Sequence, residues 1–354
     1  MPATEPDLAG LPRVDLRAAV ARVADDLRRL DGACLLVTGG TGFFGRWVLG
    51  LLAQARADLG IELTATVLSR DPAAFAARHP GLAAKGFLHL VGGDVRDFAA
   101  PNRRFTHVLH AATDTSTAAD RDPDTLVSCI VDGTRRVLDI AAQAGAQRLL
   151  YVSSGAVYGR QPAGLAAIPE NHAGACDPLD PRSAYGEAKR LAEHLCASRA
   201  ARGGPEAVIA RCFAFVGPGL PLDGHFAIGN FVRDALARRP IVVAGDGTPM
   251  RSYLYAGDLA AWLVALLVRG RSEAAYNIGS DEGLSIADLA RRVAKLIPGQ
   301  GVEIRGVPEP GTPRSRYLPD IGRARWELGL DVWTPLDAAI LATAADARRR
   351  AEGG

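Results

Sequence analysis

The chain has 354 residues, 48% of them hydrophobic, and a formal net charge of +2, which predict a globular protein of about two domains or one elaborated domain. Lys+Arg and Asp+Glu nearly balance and no basic tract is interleaved with aromatics, which argues against nucleic acid and acidic membranes as partners. Five cysteines without C-x-x-C spacing argue against a disulfide framework and against zinc. His107 and His110 lack carboxylate or cysteine partners at ligand spacing, so we expect no metal site.

The N-terminus lacks a basic stretch followed by an apolar one, so no secretory signal is predicted. The most apolar run, residues 259–268, is too short to span a bilayer. We therefore expect a cytoplasmic protein that does not act in a membrane. In chain order, the first predicted element is an amphipathic helix from Asp15 to Leu30, which we interpret as a packing accessory.

A glycine-rich turn follows the first strand-like segment, which ends at Thr38. Gly39 permits a tight turn, Gly42 lets the backbone approach a pyrophosphate, and Gly45 lets the next helix pack on the strand. Because the strand before the turn and the helix after it are both readable, the turn predicts a dinucleotide site rather than a merely structural turn.

Alternating strand-like and helical segments organise most of the chain after this turn. The strand-like segments are residues 63–68, 86–91, 107–110, 148–153 and 207–212, with helical stretches between several of them, as at 133–144. This alternation predicts an α/β fold with a parallel doubly wound sheet. Shorter elements rich in Gly and Pro after residue 217 predict a smaller second lobe that closes over the sheet.

Tyr185 and Lys189 lie four residues apart on a predicted helix and therefore share one face of it. A phenol is a poor base at neutral pH, but a nearby ammonium stabilises the phenolate and lowers the phenol pKa. The pair can then take a proton from a hydroxyl as hydride leaves its carbon. The strand at residues 149–152 ends in Ser153 and Ser154, which places a hydroxyl at the carboxyl end of the sheet, where ligands bind.

In these motifs the sequence resembles the extended short-chain dehydrogenase/reductase family, specifically its nucleotide-sugar epimerases, dehydratases and reductases. The resemblance covers roughly Ala33 to Leu330. It is carried by the T-G-x-x-G-x-x-G turn, Gly93-Asp94-Val95, His110-Ala111-Ala112, Ser153-Ser154-x-x-Val157-Tyr158-Gly159, Tyr185-x-x-x-Lys189, Arg211-Cys212-Phe213, Gly245-Asp246-Gly247-Thr248-Pro249-Met250-Arg251, Tyr276-Asn277-Ile278-Gly279 and Arg323 to Gly329. It implies a helical extension over 1–32, a Rossmann-type NAD(P)-binding domain over 33–216 and mainly a nucleotide-sugar lobe over 217–354, with some segments returning to the first domain.

The resemblance also implies roles for individual residues. Tyr185 would be the acid/base, Lys189 would bind the nicotinamide ribose and tune Tyr185, and Ser154 would hydrogen-bond the reacting sugar oxygen. The candidate cofactor-binding residues are Gly39, Thr41, Gly42, Phe43, Phe44, Gly45, Ser69, Arg70, Asp94, Val95, Ala111, Ala112, Thr113, Tyr185 and Lys189. The candidate substrate-binding residues are Asp114, Ser154, Asn230, Arg251 and Arg314, with the two guanidinium forks suited to a diphosphate.

Two departures from the family pattern bear on the reaction and the cofactor. Dehydratases of the family carry Asp-Glu after the catalytic hydroxyl, but this chain has Gly155 and Ala156, so elimination at carbons 5 and 6 is not expected. NAD users place an acid at the end of the second strand, but here Ser69 and Arg70 stand there. Arg70 would accept a 2′-phosphate, which favours NADP over NAD, although Asp71 is its neighbour.

We therefore expect an NAD(P)-dependent enzyme acting at carbon 4 of a nucleotide-activated hexose or deoxyhexose. Epimerisation through a transient ketone is favoured because the serine segment resembles that of the 4-epimerases. Three alternatives stay open: NADPH-dependent reduction of a 4-keto sugar, decarboxylation of a nucleotide-linked uronic acid, and a cofactor-sensing binding protein on the same fold. The resemblance also implies a homodimer. The sequence does not identify the nucleotide base or the sugar.

Overall fold

A seven-stranded parallel sheet forms the centre of the molecule, as the alternation of strands and helices predicted. The computed structural model describes residues 9–99, 101–113, 122–224, 226–309, 311 and 314–352. The sheet strands are β1 (Cys34–Thr38), β2 (Thr64–Ser69), β3 (Leu88–Gly92), β4 (His107–His110), β5 (Arg148–Ser154), β6 (Glu206–Cys212) and, further along the chain, β11 (Ala274–Ile278). Their order is β11-β6-β5-β4-β1-β2-β3, and every neighbouring pair is parallel.

The strand order reverses direction at β1, which has β2 on one side and β4 on the other. In open parallel sheets a ligand binds in the crevice beyond the carboxyl ends of the strands at such a point. The glycine-rich turn that follows Thr38 lies at this crevice. The fold therefore places the predicted dinucleotide site where the topology leaves an opening.

Helices cover both faces of the sheet. They are α1 (Arg13–Arg22), α2 (Ala24–Arg28), α3 (Phe43–Leu59), α4 (Pro72–Arg78), α5 (Pro80–Ala83), α6 (Pro123–Gln143), α7 (Ala184–Ala200), α8 (Ala227–Leu236), α9 (Ala256–Arg269), α10 (Ile286–Leu296), α11 (Gly322–Leu328) and α12 (Leu336–Glu352). Because successive strand residues point to opposite faces, Leu35 and Val37 join the core shared with α3 and α9, while Leu36 joins the core shared with α6 and α7.

The predicted N-terminal helix is two helices, because the backbone leaves the helical region at Val23, with φ −125° and ψ 30°. The side chains of Leu16, Val20 and Leu27 are buried, and α1 packs on α3 and α9. The extension thus acts as a packing element. The apolar run predicted to be too short for a bilayer lies within α9, which is buried almost throughout. No helix in the described ranges is long and apolar enough to cross a membrane.

Short strands beyond β6 build three small sheets next to the central one. These strands are β7 (Phe215–Val216), β8 (Ile241–Val243), β9 (Met250–Arg251), β10 (Leu254–Tyr255), β12 (Leu284–Ser285), β13 (Val302–Ile304) and β14 (Arg316–Tyr317). They pair as β10-β7, β13-β8 and β12-β9-β14. The last of these sheets matters most for function, because it brings β14 and β9 towards the end of β5.

Candidate active site

The glycine-rich turn between β1 and α3 is closed on two sides and open on one. Gly39 has φ +72°, and a Cβ there would lie 2.5 Å from the carbonyl oxygen of Ala111 at the end of β4. A Cβ on Gly45 would lie 2.3 Å from the Cα of Gly40. A Cβ on Gly42 would meet only the Gly39 oxygen, at 3.4 Å. The turn is therefore open above Gly42, beside the free N–H groups of the first turn of α3, and this cradle fits a pyrophosphate.

The two phenylalanines of the turn contact protein. The ring of Phe44 meets the ring of Phe215 edge-on, with centroids 4.8 Å apart, and the ring of Phe43 lies 5.8 Å from that of Phe44. Thr41 is half-buried. Since both rings pack within the protein, the part of this segment that remains available for phosphate oxygens is the backbone.

The segment after β4 forms the other wall of the crevice. The backbone N–H of Ala112 donates to Thr38 Oγ1 at 3.2 Å, which ties this wall to the end of β1. Thr113 Oγ1 donates to the Ala112 carbonyl at 2.8 Å and accepts from Lys189 Nζ at 2.9 Å. Ala111 and Ala112 thus line the crevice, and Thr113 joins this wall to the predicted catalytic helix.

The end of the sheet predicted to hold the adenosine carries several charges. Arg70 is exposed at the end of β2, and Ser69 before it is buried. Asp94 forms a salt bridge with Arg96 at 2.8 Å, and that hydrogen-bonded guanidinium, with a smaller contribution from Arg70, lowers the pKa of the Asp94 carboxyl. Val95 is buried. These residues lie around one region, but no contact in the structure tests their predicted roles.

The helix α7 presents Tyr185 and Lys189 on the same face, as their spacing predicts. Lys189 Nζ donates to the Val152 carbonyl at 2.8 Å and lies 5.8 Å from the centroid of the Tyr185 ring. Burial lowers the pKa of Lys189 to about 8. Burial raises the pKa of Tyr185 to about 12, and a hydrogen bond with Ser154 opposes that rise. The three predicted catalytic residues therefore form one cluster, in which the ammonium is the charge able to stabilise a phenolate.

Ser154 lies at the carboxyl end of β5, where the strand enters a short 3-10 turn. Its Oγ accepts a hydrogen bond from the backbone N–H of Ala156 at 3.1 Å. A Cβ on Gly155 would lie 2.7 Å both from the Tyr317 hydroxyl and from the Phe213 ring. The side chains of Tyr317 and Phe213 therefore occupy the space that any side chain at position 155 would need.

Tyr317 is a residue of this site that the sequence did not reveal. Burial raises the pKa of Tyr317, and the Ser154 hydroxyl beside it opposes that rise. The Tyr317 ring packs on Phe213 with centroids 4.5 Å apart. It is paired with Arg251 in the β9-β14 ladder, and the Arg251 guanidinium lies 5.9 Å from its ring centroid. No motif marks this tyrosine, since a two-residue strand places it. Tyr317 therefore connects a predicted diphosphate ligand with a predicted catalytic hydroxyl.

The other predicted substrate residues are not joined to this cluster by contacts among the described residues. Asn230 lies on α8, and its Oδ1 accepts a hydrogen bond from the Arg233 side chain at 3.2 Å. Arg314 is exposed. Asp114 lies outside the described residues. The contacts within the site therefore link Arg251, through Tyr317, to the Ser154 region, and the substrate-binding roles of all four residues stay predictions.

The side chain of His110, at the end of β4, contacts two threonines next to the crevice. His110 is buried, its Nδ1 lies 2.7 Å from Thr38 Oγ1, and its Nε2 lies 3.1 Å from Thr134 Oγ1. Burial lowers the pKa of His110 to about 3, so the ring stays neutral and can bond both threonines. Among the described residues, no group of three or more His, Cys, Asp or Glu could hold a metal ion.

Comparison with known proteins gives a family match and several relatives. The model of the NAD dependent epimerase/dehydratase family matches residues 35–279. UDP-glucuronic acid decarboxylase 1 of Xenopus tropicalis is 33% identical over 208 residues, which is 59% of this chain and 48% of that protein. UDP-glucuronic acid decarboxylase 6 of Arabidopsis thaliana is 31% identical over 306 residues, 85% of this chain and 84% of that protein. The chain thus spans about half the length of the first relative and most of the second.

Among solved structures, DesIV, a dTDP-glucose 4,6-dehydratase from Streptomyces venezuelae with NAD and TYD bound, has a TM-score of 0.74. It is 26% identical, and the match covers 90% of this chain and 98% of that one. The two chains therefore share a fold over most of their length.

Proposed function

We propose that this protein, which belongs to the NAD dependent epimerase/dehydratase family, oxidises and re-reduces carbon 4 of a hexose or deoxyhexose linked to a nucleoside diphosphate. Membership confirms the family predicted from the motifs, and with it an NAD-dependent enzyme of the extended short-chain dehydrogenase/reductase type. Epimerisation through a transient 4-keto sugar is the reaction that the site supports best. The nucleotide sugar, the homodimer and the preference for NADP belong to the proposal.

The observation that carries the proposal is the cluster of Ser154, Tyr185 and Lys189. Tyr185 takes the proton of the 4-hydroxyl, and the buried ammonium of Lys189 stabilises the phenolate that this step requires. Ser154, whose Oγ is held by a backbone N–H, hydrogen-bonds the same sugar oxygen and holds it at the phenol. When the ketone is reduced, Tyr185 returns the proton. Since base and acid are one residue, the enzyme ends the cycle in the protonation state in which it began.

The residues of the crevice fit a dinucleotide. The open face at Gly42 and the first turn of α3 would hold the pyrophosphate, and Lys189 and Thr113 lie where the nicotinamide ribose would meet the catalytic helix. The bound nicotinamide supplies the hydride acceptor and donor. The exposed Arg70 at the end of β2 would contact a 2′-phosphate. Arg251 would hold the substrate diphosphate.

Epimerisation is favoured over dehydration because the two residues that follow Ser154 in the chain carry no acid. Expulsion of the carbon-6 hydroxyl needs a positioned proton donor, since hydroxide is a poor leaving group. The dehydratases of the family have Asp-Glu there, whereas Gly155 and Ala156 carry no titratable side chain. The Tyr317 hydroxyl occupies the space beside Gly155. Exchange of hydride at carbon 4, with the nicotinamide as acceptor and donor, needs no acid or base beyond the cluster.

A second candidate is decarboxylation of a nucleotide-linked uronic acid. The relatives named above are UDP-glucuronic acid decarboxylases, one of them aligned over 85% of this chain. Oxidation at carbon 4 would make the carboxylate β to a ketone, so carbon dioxide could leave without a proton donor for a leaving group. An acid would then have to protonate carbon 5, and the hydroxyl of Tyr317, which lies beside Gly155, is a candidate for that role. This reaction therefore uses the same cluster with one added role.

The experiment is a product assay with nucleotide-linked hexoses, uronic acids and 4-keto-6-deoxyhexoses, each offered with NAD(H) and with NADP(H) and followed by NMR. An inverted carbon-4 hydroxyl without net cofactor change is the expected result. Carbon dioxide release from the uronic acid would favour the second candidate, and stoichiometric NADPH loss with a 4-keto sugar would favour a reductase. A 4-keto-6-deoxy product from an ordinary hexose would overturn the argument from Gly155. Cofactor binding without turnover of any substrate would point to a cofactor-sensing protein.

A further inference from the structure

A buried ion pair lies directly behind the catalytic serine. Arg211 on β6 donates from Nε to Glu193 Oε1 at 3.1 Å and from Nη2 to Oε2 at 2.7 Å. The two side chains are only 17% and 12% exposed. Such a pair is costly to break, because the partner left behind is an uncompensated charge away from water. Neither residue takes part in the reaction proposed above.

This pair connects four elements of the site. Ser153 Oγ donates to Glu193 Oε1 at 2.5 Å, so the carboxylate on α7 holds the residue next to Ser154 on β5. Arg211 Nη1 donates to the Tyr158 hydroxyl at 2.8 Å, and that hydroxyl donates to Asn277 Oδ1 on β11 at 2.8 Å. The bonds therefore fix α7 against the ends of β5, β6 and β11.

Glu193 lies on the helix face that also carries the catalytic residues. Tyr185, Lys189 and Glu193 follow one another at intervals of four residues, so they share one side of α7. A Lys and a Glu at this spacing commonly form an ion pair. Here Lys189 instead donates to the Val152 carbonyl and to Thr113, and it forms no salt bridge with any carboxylate among the described residues. The Glu193 carboxylate faces Arg211 and Ser153.

Among the described residues, Glu193 is the carboxylate whose charge acts on Lys189, together with the thiols of Cys212, Cys196 and Cys129. The titratable and charged groups facing this region from the packed elements are His110 on β4, Cys129 on α6, Tyr151 on β5, Tyr158 in the 3-10 turn, Glu170 in the following loop, Tyr185 and Cys196 on α7, Arg211 and Cys212 on β6, and Tyr317 on β14. Burial raises the pKa of Cys212 to about 12, and it likewise raises those of Cys196 and Tyr151. Glu170 accepts from the backbone N–H of Asn277 at 3.0 Å. Glu193 is thus the carboxylate placed to alter the charge at Lys189.

We propose that Arg211 is a positioning residue, which holds the Glu193 carboxylate against Ser153 so that, among the described residues, no carboxylate forms a salt bridge with the Lys189 ammonium that faces Tyr185. The significance of this arrangement for catalysis rests on the proposed function, in which Lys189 stabilises the Tyr185 phenolate. The arrangement itself is a property of the protein without cofactor or substrate, and it can be tested in that state.

Two single substitutions should change the Lys189 pKa in opposite directions. Arg211→Gln releases the carboxylate and removes a like charge, so the Lys189 pKa should rise by about one pH unit or more. Glu193→Gln removes the carboxylate and leaves the Arg211 charge uncompensated, so the Lys189 pKa should fall below about 8. The double variant should return towards the parent value. A purely structural defect would not shift the Lys189 pKa upwards in one variant and downwards in the other.

The chain suits a direct measurement because its only lysines are Lys85, Lys189 and Lys295. NMR titration of protein labelled at the lysine ε-carbon gives a small set of resonances, and Lys189→Arg identifies the one of interest. Lys85 and Lys295 are exposed, so they provide internal references that should titrate alike in every variant. Since no turnover is measured, the result does not depend on which sugar is the substrate.

Glu206→Gln is a matched control, because Glu206 pairs with Arg148 at the opposite end of the same two strands. It should leave the Lys189 titration unchanged. If Arg211→Gln does not fold, Glu193→Gln alone still tests the sign. A Lys189 pKa that stays within about 0.3 unit of the parent in Glu193→Gln, or shifts equally in the control, would overturn the proposal; a fall confined to Glu193→Gln supports it.

Discussion

Acid should destabilise this protein through His110 more than through any exposed group. The ring is 1% exposed, and burial, helped by the Lys189 charge, lowers its pKa from 6.5 to about 3. Between these values the unfolded chain binds a proton that the folded protein excludes, so stability present above pH 6.5 is lost as the pH falls towards 3. At about pH 5 the linkage relation gives a loss of about 2 kcal/mol from this residue.

The assay is urea unfolding at about pH 7.5 and about pH 5 for the parent and for His110→Gln. The variant loses hydrogen bonds to Thr38 or Thr134 and should be less stable at both pH values, but it has no proton to bind at this position. His79 and His107, whose pKa values burial lowers to about 4, remain in both proteins, and their contributions cancel. The parent should therefore lose about 2 kcal/mol more than the variant between the two pH values. Equal losses would refute the assignment of a neutral, buried ring.

Three further predictions concern the site. Tyr185→Phe should lower turnover at least about a hundredfold while cofactor affinity, measured by calorimetry, is retained; turnover within about threefold of the parent would remove Tyr185 from the mechanism. Arg70→Ala should weaken NADP(H) by about tenfold or more and NAD(H) much less, and equal losses in calorimetric titration would contradict contact with a 2′-phosphate. Gly45→Ala places a Cβ 2.3 Å from the Cα of Gly40 and should abolish cofactor binding. Gly86→Ala, whose Cβ meets nothing within 4 Å, should bind cofactor as the parent does.

The sequence predicted what local spacing determines. The turn at Gly39 to Gly45, the five early strands and the pairing of Tyr185 with Lys189 on one helix all follow from patterns within a few residues. The parallel doubly wound sheet and the family were confirmed. The prediction of a single helix from Asp15 to Leu30 was wrong in one respect. The helical spacing of apolar residues continues through Val23, but the backbone leaves the helical conformation there, so two helices form.

Contacts between segments far apart in the chain could not be predicted from local sequence patterns. Tyr317 reaches Ser154 because a two-residue strand pairs with β9, and neither strand is long enough to show alternation in the sequence. Arg211 and Glu193 are an ordinary charged pair by composition, and only the packing of α7 on β6 shows that they are buried together. The predicted cofactor-binding turn is a local pattern in the sequence, whereas the contacts of Tyr317, Arg211 and Glu193 depend on the tertiary arrangement.

This difference explains why the class of chemistry is easier to infer than the reaction. The proposed proton transfer uses Ser154, Tyr185 and Lys189, all placed by β5 and α7. The fate of the sugar after oxidation depends on what stands beside Ser154, and that space belongs to Gly155 and Tyr317 together. An acid at position 155 would require Tyr317 to move, so the missing carboxylate and the added phenol are one feature of the site. We therefore expect the reaction to be determined at the end of β5, where Tyr317 lies between Ser154 and Arg251, the proposed diphosphate ligand.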